Sequence, residues 1–94
     1  MIEGITEIVV KHLDHQASSL IQKCIGAVEK GTVEESGLTR SDFEQAMEAA
    51  SIAFSAEHPE LTEAGAYARM LQSPLGKSLY SGSYQAYIAA HRDR

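Results

Sequence analysis

The chain has 94 residues, 44% of them apolar and 22% charged, with a formal net charge of −5. That length holds one domain, that composition suits a folded globule rather than a disordered segment, and a single cysteine excludes an intramolecular disulfide. The opening MIEGITEIVVKHLDH lacks a basic start, and no stretch reaches the roughly 20 apolar residues of a membrane span, so a cytoplasmic protein is expected.

Charge is unevenly spread. Residues 29–63 carry nine acids against Lys30 and Arg40, whereas residues 64–94 carry Arg69, Lys77, Arg92 and Arg94 against Asp93 alone. An acidic middle opposes direct binding to phosphate backbones, and nucleic acid is not an expected partner. It keeps a surface hydrated and is able to meet a basic partner, with Glu34, Glu35, Asp42 and Glu44 as the acidic candidates.

The periodicity predicts an all-α fold: a single domain over residues 1–94, a bundle of three to five helices with a long amphipathic helix first. That helix is expected over about 4–30. Ile2, Val9, Val10, Leu13, Ala17, Leu20, Ile21, Cys24, Ala27 and Val28 fall within a stripe about 120° wide at helical spacing. The β-branched run Ile8-Val9-Val10 also suits a short strand, but the helical register continues through it. Gly31 is placed to stop the helix, and TVEESGL, residues 32–38, reads as a linker.

A second helix is expected over about 42–57, with Ser41 and Glu44 as a capping box and Asp42 at the positive end of the dipole. Phe43, Met47, Ala50 and Phe54 share its inner face, with Ala46 and Ala53 beside them. Pro59 ends it by pushing His58 out of the α region. Thr62 then caps a helix over about 63–72, which offers Ala66, Tyr67, Met70 and Leu71 to the core. Ser73-Pro74 starts a last helix, about 74–92, with Ser as the cap and Pro at the first position. Leu75 and Leu79 lie on one side of that helix, and Tyr80, Tyr84, Tyr87, Ile88 and His91 on another. A kink or break is therefore expected at Ser81-Gly82-Ser83. The predicted core is Val9, Leu13, Leu20, Cys24, Val28, Phe43, Met47, Phe54, Tyr67, Leu71, Leu79 and Tyr84.

The tyrosine stripe reads in two ways: as rings packed on the first helix with hydroxyls reaching water, or as a partner surface with Ile88 and His91. His12 and His15, three apart in KHLDH, are able to share a metal on a helix. Asp14 and Cys24 point elsewhere on the wheel, so no third ligand joins them and no metal or other cofactor is expected. Cys24 reads as a small core residue. There is no nucleophile elbow and no glycine-rich phosphate loop, and the carboxylates fall on solvent-facing helix surface, so an enzyme is not expected. Arg92-Asp93-Arg94 complements the dipole of the last helix, or docks on the acidic 29–63 segment of another copy.

The string His58-Pro59-Glu60-Leu61-Thr62, then Ala66-Tyr67 to Leu71, then Ser73-Pro74-Leu75-Gly76 to Leu79-Tyr80 resembles small helical segments encoded in tailed phages and prophages of bacteria. It covers about a third of the chain, and no functional residue is implied by it. The leading expectation is a non-enzymatic helical interaction module, working on another protein or on itself as an oligomer. The alternatives are an acidic phage-derived inhibitor that occupies a nucleic-acid-binding groove, and a metal sensor or small enzyme using His12 and His15.

Overall fold

The computed structural model describes residues 11–91. Among them are five helices and no strand: α1 (His15–Lys30), α2 (Val33–Ser36), α3 (Arg40–Glu57), α4 (Glu63–Gln72) and α5 (Pro74–His91). The central pair is α3 and α5, and each packs on the other and on both α1 and α4. The short α2 rests on α1 and α5. No helix among the described residues is long and apolar enough to cross a membrane.

The long first helix expected over 4–30 is interrupted. Residues 11 and 12 are helical, the chain bends at Leu13, and Asp14 is extended at φ −72°, ψ 174°. The Asp14 carboxylate accepts the Ala17 amide at 2.8 Å and so caps α1. A short acceptor side chain that can satisfy an orphan amide outcompetes a continuous helical register. The stripe residues Ile2, Val9 and Val10 lie outside the described residues, as do Arg92, Asp93 and Arg94.

Gly31 ends α1 at φ 69°, a left-handed conformation that glycine adopts without a Cβ clash. Its amide donates to the Val28 carbonyl, and the Thr32 amide to Ala27, which closes a Schellman motif. The 32–38 linker is not structureless. It contains the one-turn α2, ended by Gly37 at φ 78°, and Val33 is buried there. The capping box of α3 lies two residues earlier than the sequence suggests. Thr39 Oγ1 accepts the Asp42 amide at 3.2 Å, and Asp42 Oδ2 accepts the Thr39 amide at 2.9 Å. Thr39 precedes its acid by the three residues the box needs, so α3 begins at Arg40 rather than near Asp42.

The core is built from Ile21, Cys24, Ile25, Phe43, Met47, Phe54, Met70, Leu75 and Leu79, filled in by alanines on α3, α4 and α5. Leu13, Leu20, Val28 and Leu71 are only partly buried against it. Two predicted core residues are outside it: Tyr67 is 39% exposed and Tyr84 is on the surface. The inner faces of α4 and α5 near them carry the smaller, buried Ala66 and Ala86 instead.

Two glycines allow close approach between helices. One residue, Ser73, separates α4 from α5. Its hydroxyl donates to the Met70 carbonyl at 2.6 Å and accepts the Gly76 amide at 3.1 Å, serving both helix ends. A Cβ at Gly76 would stand 2.6 Å from Leu71 Cα and 2.7 Å from Met70 C, so only glycine fits this corner. Gly82 does not break α5, which runs continuously from Pro74 to His91. It is instead where the Phe43 ring rests on the helix backbone. A Cβ there would lie 2.6 Å from Phe43 Cζ and 2.7 Å from Cδ1. Glycine in this helix interior makes room for the ring of a neighbouring helix.

Candidate interaction face

The buried side of α5 is Leu75, Gly76, Leu79, Gly82, Ser83 and Ala86. At about 100° per residue these positions define one half of the helix, and Tyr80, Tyr84, Tyr87, Ile88 and His91 occupy the other. Tyr80, Tyr84, Tyr87 and Ile88 are between 41 and 64% exposed. The reading in which these rings pack on the first helix therefore does not hold. The reason lies on α5 itself, where glycine, serine and alanine let α3 and α1 come too near for a tyrosine to fit between.

The start of α3 meets the end of α5. Arg40 places its guanidinium 5.4 Å from the Tyr87 ring centre, a cation–π contact. Its Nε pairs with Glu44 Oε2 at 3.2 Å one turn along α3, which holds the guanidinium in place. Tyr87 also stacks on His91, with ring centres 4.3 Å apart, and His91 Nδ1 lies 2.8 Å from the Tyr87 carbonyl oxygen. Arg40, Tyr80, Ser83, Tyr84 and Tyr87 together line a shallow groove of ≈ 250 Å³. Ser83 is satisfied within the helix, donating to the Tyr80 carbonyl at 2.7 Å. The face is thus aromatic with the ion-paired Arg40 at its edge, and α5 contains no acidic residue. Arg40 belongs to it without any local signal, since the contact is made across 47 residues of chain.

Two of the acidic candidates have partners within the chain. Asp42 is committed to the capping box and Glu44 to Arg40. Glu34 and Glu35 lie exposed in the first turn of α2, where they favour its dipole.

The two histidines part company at the Asp14 cap. His12 Nε2 donates to Glu57 Oε2 at 2.8 Å, with Lys11 Nζ 3.8 Å from the same oxygen. That hydrogen bond, and then the Lys11 charge, hold the Glu57 carboxyl below its ordinary range. His15 is exposed at the start of α1. Among the described residues no three His, Cys, Asp or Glu are grouped to hold a metal. Cys24 is fully buried, and its burial, with the nearby Asp42 charge, pushes the thiol up to about 11.

A second depression lies between α3 and α4. It measures ≈ 690 Å³ and is walled by Ile52, Tyr67 and several small side chains, with Glu48 and Glu63 at its edges. Tyr67, expected in the core, lines this depression instead, together with Ile52. Comparison with family models, curated proteins and solved structures gives no match for this chain.

Proposed function

We propose that this chain is a non-enzymatic helical module for protein–protein interaction, meeting its partner through the outward face of α5. The observation that carries the reading is the row Tyr80, Tyr84, Tyr87 and Ile88, four large side chains held side by side in water. Tyrosine and arginine are the residue types enriched at the energetic centres of interfaces, because a rigid ring buries much area for little lost rotamer freedom. Arg40, fixed by Glu44 and Tyr87, adds a preorganised donor at the edge. A cytoplasmic setting and a phage or prophage origin belong to the same proposal. The acidic-inhibitor alternative has less support, because Asp42 and Glu44 are engaged within the chain.

The test is the double substitution Tyr80→Ser/Tyr84→Ser in the cells that make the protein. Both rings are exposed, so the variant is expected to melt within a few degrees of the parent while its cross-linked complex disappears. An unchanged complex overturns the reading.

A further inference from the structure

We propose that the partner seated on the α5 tyrosine face is a second copy of this chain, which offers it the groove between α3 and α4. The proposal rests on the tyrosine-face reading above and names the partner.

The two surfaces differ in charge and match in character. The groove presents Ile52, 56% exposed, and Tyr67 between walls of small side chains such as Ser51 and Ser55. Small walls leave depth for an aromatic ring. The edges are Glu48 and Glu63, no cation lines the groove, and neither carboxylate has an ion pair among the described residues. The α5 face is the counterpart. At about 100° per residue, Lys77, Tyr84 and His91 run down its middle, with Tyr80 and Tyr87 on one side and Ile88 on the other. Its tyrosine hydroxyls are donors for the carboxylates, and Lys77, which no acid pairs within the described residues, supplies opposite charge.

Pairing the tyrosine face with itself instead would give Lys77 no carboxylate from the groove and leave both grooves open to water. The groove and the face sit on different helices of one molecule. With one face-to-groove contact between each two copies, the interface is heterologous, and copies add head to tail into a ring or a chain.

The experiment is light scattering of the purified full chain over a range of concentration and salt. The wild-type mass is expected to rise with concentration beyond that of a dimer and to fall as salt is added. Glu48→Lys/Glu63→Lys, which blocks the groove, and Lys77→Glu/Tyr84→Ser, which blocks the face, each alone stay monomeric at concentrations where the parent first assembles. Each raises the concentration needed for assembly at least about tenfold. An equimolar mixture of the two retains one intact interface and forms a one-to-one dimer that grows no further. All four positions are exposed, circular dichroism checks the fold, and Ile52→Glu serves as a second groove variant. A wild-type monomer at every concentration overturns the proposal, as does a groove variant that assembles like the parent. A monomer whose complex in cells still vanishes on Tyr80→Ser/Tyr84→Ser ends the second-copy proposal and leaves the tyrosine-face reading standing.

Discussion

Replacing Gly82 by alanine separates two explanations of a glycine inside a helix. If Gly82 were only a flexible point on α5, alanine would stabilise the helix by about 1 kcal/mol, the usual difference in propensity. The structure gives the opposite sign. The new methyl would meet Phe43 Cζ at 2.6 Å and Cδ1 at 2.7 Å, where ordinary contact begins at 3.4 Å. Phe43 is fully buried in the core, so its ring cannot swing into solvent. Relief requires α5 to move off α3, which loosens the packing of the two central helices. Overpacking of this kind costs roughly 1–3 kcal/mol, and a clash with a trapped ring belongs at the upper end. Against the propensity gain, the net is a loss of about 2 kcal/mol. For a domain of this size that lowers the melting temperature by roughly 8–16 °C, measured by circular dichroism. Phe43→Leu in the same chain gives the methyl room, so the double variant should lose less than the two single losses added together. A Gly82→Ala protein as stable as the parent would refute the packing argument.

Gly26 on α1 is the matching control, because a Cβ there meets nothing within 4 Å. Gly26→Ala should raise stability by about 1 kcal/mol in denaturant melts, and a loss would mean that α1 packs differently. The buried Cys24 thiol, raised to about 11 from 9.0, should be alkylated at least about tenfold more slowly in buffer than in urea. It should also make stability fall between about pH 9 and about pH 11, where the unfolded thiol ionises and the folded one does not, and Cys24→Ala should flatten that slope. Equal alkylation rates would place the thiol at the surface. The depressed Glu57 carboxyl stabilises the fold above its ordinary value of 4.5, and that contribution is lost as pH falls through its lower folded value. Parent and Glu57→Gln melting temperatures should therefore differ near pH 6 and converge in acid. A gap that persists in acid would show that the His12–Glu57 contact is not its source.

The helices with strong punctuation were legible. Thr62, Ser73-Pro74, Pro59 and Gly31 are local signals, each satisfied within a few residues, and they place α4, the start of α5 and the ends of α1 and α3. Asp14 is equally local, but it sits inside a hydrophobic register that runs on past it, and the register was the louder pattern. The choice of Thr39 over Ser41 as the cap turns on two residues offering the same chemistry two positions apart. What the sequence could not display was distance between helices. Gly76 and Gly82 set that distance, and it decides that alanines fill the interior and that Tyr67 and Tyr84 are left outside. The stripe of Tyr80, Tyr84 and Tyr87 was visible as a face, whereas its direction depended on Gly82 meeting Phe43, a contact between residues 39 apart. Arg40 and the α3–α4 groove arise only from the fold, since no spacing announces them.

A photoreactive amino acid placed at position 84 probes the working surface most directly, with the same group at Lys23 on α1 as the comparison. Irradiation in the producing cells should trap a protein adduct from position 84 and none from position 23. Adducts from both positions alike, or from neither, would contradict an interaction module that works through the outward side of α5.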